Sequence, residues 1–308
     1  NIWRNQNEIP GDKIDNDGNN YVDDHSGLNI QSQNDDHNID SHGSRVAGII
    51  GAEGNNSIGI SGINWNTKLL ILSNVTNVGE IIKAYDYIYD LKRRYIDSNG
   101  TDGANIVVTN FSAGIRRHFP SEFPAWCNAY TLLGSVGILS VAATPNEDYD
   151  LEAEGDMPSL CNSPYLLMVT NTNQEDTKVF SAAVSKIHVD LGAPGDNVVS
   201  TDINSSYKTI NGTSAATPHV SGALGLLYAI ACDELVDLMK SDPSQASLLI
   251  KQSVIDGVDS LSSLTETVSG GRLNIYQSML NLSQYCGVEP SDKLELRTVG
   301  AERTGSNS

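Results

Sequence analysis

Positive charge is scarce. In 308 residues, 19 Lys and Arg stand against 38 Asp and Glu, a formal net charge of −19. Such a chain repels phosphate backbones and anionic headgroups, which argues against nucleic acid or an anionic membrane surface as a partner. Long apolar runs are missing too: none reaches the roughly 18 residues that a transmembrane helix needs. The first residues, Asn1-Ile2-Trp3-Arg4, lack the basic start and apolar centre of a signal peptide. That does not assign the protein to the cytoplasm, because the sequence need not begin where the gene product begins. Only four cysteines are present, Cys127, Cys161, Cys232 and Cys286, and no C-x-x-C pair offers zinc or redox chemistry. Cys127–Cys161 with Cys232–Cys286 closes two local excursions of the chain and is the expected pairing. Buried free thiols in a reducing compartment are the alternative.

What the sequence does hold is a core and a rhythm. Hydrophobic residues make up 39% of the chain, enough for a sizeable interior. Residues 68–73, 104–109, 137–143, 165–170 and 187–191 are short apolar or β-branched runs and are predicted strands. A helix is predicted over 80–95, where Ile81, Ile82, Tyr85, Ile88 and Tyr89 recur at helical spacing before the basic end Lys92-Arg93-Arg94. Further helices are predicted over 122–133, 220–230, 244–255 and 272–285. Strand alternating with helix specifies an α/β fold, a mostly parallel central sheet with helices on both faces, in one domain over 1–286. From Gly287 the composition turns polar, and 287–308 reads as a C-terminal linker.

Residues 1–40 are almost all polar. Within them Asp15-Asn16-Asp17-Gly18-Asn19-Asn20-Tyr21-Val22-Asp23-Asp24 alternates oxygen-bearing side chains as calcium loops do. It is not a regular EF-hand, because Gly18 comes too early and no bidentate Glu closes the loop. Asp15, Asp17, Asn19 and Asp24 are the expected ligands of a Ca²⁺ ion; a solvated acidic turn is the other reading.

Two stretches carry chemistry. Asn211-Gly212-Thr213-Ser214-Ala215-Ala216-Thr217-Pro218-His219-Val220 runs from small polar residues into an apolar helix. A serine there sits at the positive end of the helix dipole, and Gly212 allows a tight turn. Pro218 is expected in the opening turns, where a missing N–H costs nothing. On this stretch alone a plain capped helix is the reading to prefer. The second stretch, Ser41-His42-Gly43-Ser44-Arg45-Val46-Ala47-Gly48, again displays a reactive side chain at a helix start. Serine and histidine so placed suit nucleophilic catalysis, in which the imidazole takes the hydroxyl proton.

Together the two stretches resemble the signatures of the subtilisin-like serine proteases, the subtilases. That family reads His-Gly-Thr-His-Val-Ala-Gly around its base and Gly-Thr-Ser-Met-Ala-Thr-Pro-His-Val around its nucleophile. Here Ala215 replaces Met, and Ser44 and Arg45 replace Thr and His. The resemblance covers roughly residues 1–286 and is nearest in pattern to large secreted subtilases of Bacteroidota-type bacteria. It implies a three-layer subtilisin-like fold, a secreted or cell-surface and bacterial protein, and a polypeptide substrate. It also implies roles: Ser214 as nucleophile, His42 as base, and Asn146, after Val141-Ala142-Ala143-Thr144-Pro145, as oxyanion donor. Ser112, Ala113 and Gly114 resemble the stretch along which substrates add as an extra β-strand. His219, inside the nucleophile motif, is expected to serve packing.

One family element has no counterpart. Subtilases begin with an apolar strand ending Asp-[Ser/Thr]-Gly, whose aspartate orients the histidine. No apolar strand precedes His42, and every aspartate from Asp12 to Asp40 lies in hydrophilic loop sequence. The expectation is therefore a peptidase whose orienting Asp comes from a separate N-terminal fragment of the same precursor. A catalytically silent binding or structural module on the same fold is the alternative.

Overall fold

The computed structural model describes residues 1–287, so the expected linker over 287–308 lies almost wholly outside the described residues. In chain order the elements begin with β1 (Gly27–Asn29), α1 (Ser41–Gly51), β2 (Ile71–Ser73), α2 (Val78–Asp97) and β3 (Val108–Phe111). Next come β4 (Ile115–Arg116), α3 (Pro124–Ser135), β5 (Leu139–Ala143), α4 (Leu151–Glu154), β6 (Asp156–Met157) and β7 (Leu166–Thr172). Then follow β8 (Leu191–Pro194), the β9 (Val198–Asp202) and β10 (Ser206–Ile210) hairpin, and α5 (Thr213–Ala229). The chain closes with α6 (Asp233–Ser241), α7 (Pro243–Ile255), β11 (Asp259–Ser260), β12 (Gly271–Arg272) and α8 (Ile275–Tyr285).

The main sheet runs β11-β12-β8-β7-β5-β3, parallel except for β11 against β12. Every residue of β5 and β7 is buried. Because side chains alternate along a strand, their residues divide between two layers. Leu139, Val141, Leu167 and Val169 pack with α5, α7 and α8. Ile138, Ala142, Leu166 and Met168 pack with α2 and α3 around the fully buried Trp126 and Tyr130. This is the expected three-layer arrangement.

Each predicted run overlaps an element, several with shifted bounds: the strand expected over 104–109 is β3 at Val108–Phe111, and the helix expected from residue 220 already begins at Thr213. The strand expected over 187–191 begins at Leu191, because Asp190 and its neighbours form the approach: the Asp190 carboxylate accepts the Met168 N–H at 2.7 Å. The 1–40 region is not loop throughout, since Leu28 and Ile30 bury themselves against α2 and let β1 pair in parallel with β2. Both expected disulfides form, Cys127–Cys161 within α3's packing and Cys232–Cys286 between the start of α6 and the end of α8.

One feature of the sheet bears directly on the site. Among the described residues β1 and β2 form a separate two-stranded sheet, and β2 and β3 do not pair. Ile30 N–H reaches Ser73 O and Trp3 N–H reaches Leu69 O, so the odd residues of this segment bond toward β1. Leu70 and Leu72 therefore turn their backbone groups toward the other edge. They are only half-buried, like Ile106, Val108 and Phe111 around β3, and Leu70, Leu72 and Ile106 share two apolar clusters.

Candidate functional site

The nucleophile candidate is held from below. Gly212, at φ 104, turns into α5 where a Cβ would lie 2.6 Å from Asn146 Oδ1, so only glycine fits. Pro218 lies inside α5 rather than at its unsatisfied start, which corrects the sequence-based placement. Its missing N–H leaves the Ser214 carbonyl, four residues back, without its helical donor. Ser112 Oγ supplies that donor at 3.1 Å, and Ser214 Oγ donates in return to Ser112 O at 3.1 Å. Asn110 Nδ2 donates to Ser112 Oγ at 3.0 Å, and Ser221 Oγ to Asn110 Oδ1 at 2.8 Å, extending the support back into α5. Ala113 and Gly114, just beyond, are exposed.

Asn146 follows the C-terminal end of β5, where residues of an open α/β sheet gather around a ligand. Thr213 N–H donates to its Oδ1 at 2.9 Å, and Thr213 Oγ1 is anchored on Thr144 O at 2.6 Å. With the oxygen so engaged, the Asn146 amide nitrogen has no hydrogen-bond partner among the described residues. The fold thus brings Ser214, Asn146 and Ser112–Gly114 together.

His42 stands exposed on the first turn of α1, whose N-cap Asp40 accepts the N–H groups of His42 and Gly43. Among the described residues its imidazole has no hydrogen-bond partner, Ser214 included. The departure at Arg45 has a structural explanation. Arg45 pairs with Asp202 at 3.3 Å, while Ser200 and Thr201 hydroxyls donate to the Arg45 and Ser44 carbonyls, laying α1 on β9. Gly48 permits this contact, because a Cβ there would fall 2.2 Å from Thr201 Oγ1. His219 packs as expected: its Nδ1 meets Ala215 O at 2.8 Å, and burial pushes its pKa down.

In the acidic loop, Asp17 and Asp24 come together, but with Glu8 rather than Asp15. Carboxylate oxygens of Glu8, Asp17 and Asp24 lie within 4.8 Å of one another. Asp15 is spent on the loop itself, accepting the N–H groups of Gly18, Asn19 and Asn20, which outweigh desolvation and lower its pKa. Asn19 donates to Asp24 at 2.7 Å and accepts the Tyr21 N–H, so it braces the cluster. Glu8 is buried, with Oε1 accepting the N–H groups of Asn16 and Asp17 and Oε2 unpartnered. Burial raises the pKa of both Glu8 and Asp24. An oxygen-only set with an orphaned buried oxygen fits a hard cation such as calcium. Glu8 was not legible in sequence because it lies outside the alternating stretch.

Residues 6–267 match the subtilase family, peptidase S8. Subtilisin-like protease 1 of Plasmodium berghei (strain Anka) is 31% identical over 272 residues, 78% of this chain and 42% of that protein. The extracellular basic protease of Dichelobacter nodosus is 32% identical over 199 residues, 62% of this chain and 32% of that protein. The chain thus spans less than half the length of these relatives. Among solved structures, the epidermin leader peptide processing serine protease of Staphylococcus aureus, as an S393A mutant, superposes with a TM-score of 0.63 at 19% identity. That match covers 85% of this chain and 70% of the other. The prenylagaramide maturation protease PagA gives 0.60 at 20% identity, covering 80% and 84%. At these identities the structures speak for the fold.

Proposed function

The chain belongs to the subtilase family, and on that premise we propose that it is a serine endopeptidase acting on polypeptides. Ser214 Oγ attacks the scissile carbonyl, and His42 takes its proton and returns it to the leaving amine. Asn146 Nδ2 and the Ser214 N–H receive the oxyanion, and Ser112–Gly114 pairs with the substrate main chain. The observation that carries this reading is the convergence of Ser214, Asn146 and Ser112 at the start of α5.

The orienting aspartate comes, in this proposal, from a separate N-terminal fragment of the same precursor, added as a strand between β2 and β3. The break in the sheet there and the half-buried apolar residues on both sides support it. Such a strand satisfies main-chain groups on both edges and covers Leu70, Leu72 and Ile106. We propose further that Glu8, Asp17 and Asp24 hold a calcium ion, and that two disulfides suit a secreted or cell-surface protein.

Peptide hydrolysis by the chain, alone and with a synthetic apolar peptide ending Asp-Ser-Gly, tests the reading. The peptide should raise turnover, and Ser214→Ala or His42→Ala should remove it. One observation favours a silent module instead: the Ser214 hydroxyl donates to Ser112 O, not to His42. No turnover with the peptide bound would favour that module.

A further inference from the structure

We propose that Asp156 forms the base of the pocket for the substrate side chain preceding the cleaved bond, and that it selects lysine or arginine there; this rests on the peptidase reading above. Gly114 ends the stretch along which the substrate adds. A Cβ on Gly114 would stand 2.8 Å from Met157 O and 3.8 Å from Asp156 Oδ2, because β4 and β6 pair directly beneath it. The absent side chain opens the wall of the substrate stretch onto Asp156. On the other flank a cavity of about 520 Å³ begins at Asn146 and is lined by Glu147, Asp148, Tyr149, Glu154 and Arg117. Tyr149 Oη lies 3.4 Å from Asp156 Oδ1 and connects that cavity to the carboxylate. A substrate whose carbonyl lies between Ser214 and Asn146 presents its side chain to this region.

The charges here leave one acid over. Arg116 pairs with Glu147, Arg117 with Glu154, and Lys178 stands 4.0 Å from Asp148. Asp156, only 1% exposed, has no cation within salt-bridge distance among the described residues. Its strong contact is with Ser159 Oγ, at 2.5 Å to Oδ2. A buried carboxylate without a cation is costly, and an arriving ammonium or guanidinium relieves that cost. Burial pushes Asp156 up to about 6, only partly offset by Ser159, Tyr149 and Arg116. A long aliphatic stem reaches such a base while keeping its apolar part on the walls. The net charge of −19 draws cationic chains in the same direction.

Calorimetry on the full chain tests this without requiring turnover. The probes are product-like peptides Ala-Ala-Pro-Arg, Ala-Ala-Pro-Lys and Ala-Ala-Pro-Leu with free C-termini. At about pH 7.5 the Arg and Lys peptides should bind at least about tenfold more tightly than the Leu peptide. Asp156→Asn keeps acceptor and shape at Ser159 but removes the charge, and should abolish the difference between the Arg or Lys peptides and the Leu peptide. Asp156→Glu should retain it. In the wild type the cation preference should shrink toward about pH 5 as Asp156 protonates, whereas Tyr149, pushed up to about 12 by burial, stays neutral over that range. The His118–Glu122 pair beside Gly155 is unchanged in Asp156→Asn, so a flat profile in that variant isolates Asp156. Equal or tighter Leu binding, a cation preference surviving in Asp156→Asn, or no binding of any peptide overturns the proposal. Serine-directed labelling of Ser214 reports on the peptidase reading separately.

Discussion

Ser112 and Ser214 are joined by two crossed hydrogen bonds, each hydroxyl donating to the other's carbonyl at 3.1 Å. Pro218 makes this exchange necessary, because it withholds the helical donor that Ser214 O would otherwise receive. The proposed substrate-binding stretch and the proposed nucleophile are thereby joined by the same contact. Ser112→Ala should lower stability by about 1 kcal/mol and slow turnover by roughly fivefold to tenfold, through one lost hydrogen bond to a partly buried carbonyl. Denaturant melts and steady-state kinetics check both; unchanged values in both would detach Ser112 from the site.

Asn146 has two jobs on one amide. Its oxygen accepts from the Thr213 N–H and hydroxyl, and its nitrogen is the proposed oxyanion donor. Asn146→Ala should cut kcat by about 10²–10³ with KM little changed, the signature of an oxyanion donor used only in the transition state. A rise in KM with kcat intact would assign Asn146 to ground-state binding instead.

The acidic loop separates two kinds of carboxylate. Glu8→Gln should erase the melting shift that calcium produces, which for a ligand at a hundredfold its Kd is about 2.7 kcal/mol. Asp15→Asn should lower the melting temperature equally with calcium and with chelator, because Asp15 holds loop N–H groups rather than a cation. If Asp15→Asn, not Glu8→Gln, removes the calcium response, the original alternating set is the right one.

Burial raises the Asp156 carboxyl to about 6, so the native state keeps a proton that the unfolded chain releases at lower pH. The unfolded state binds fewer protons across that window, and stability falls as pH rises from about 4 to 6. Asp156→Asn should therefore match the wild type near pH 4 and exceed it increasingly toward pH 7. Thermal melts across that range decide it, and a constant or reversed difference would place the charge elsewhere.

Much of this was legible in the chain. Strands buried on both faces announced themselves as β-branched runs, and α2 as apolar spacing ending in Lys92-Arg93-Arg94. The His42 and Ser214 stretches were read from local sequence because each needs a helix start, a glycine turn and a small-residue helix. Glu8, Asp156 and the Arg45–Asp202 pair were not readable. Their roles depend on partners distant in sequence, and a lone carboxylate carries no periodic signal. β8 was misplaced because Leu191-Gly192-Ala193-Pro194 lacks β-branched residues; its burial comes from the sheet around it.

Fluorophosphonate labelling of the chain, mapped by mass spectrometry with and without the Asp-bearing peptide, reaches the proposed chemistry most directly. Labelling should fall on Ser214, vanish in Ser214→Ala, and accelerate by up to about 10⁴ when the peptide supplies the orienting carboxylate. An unlabelled Ser214 with the peptide demonstrably bound would contradict a Ser214–His42 peptidase.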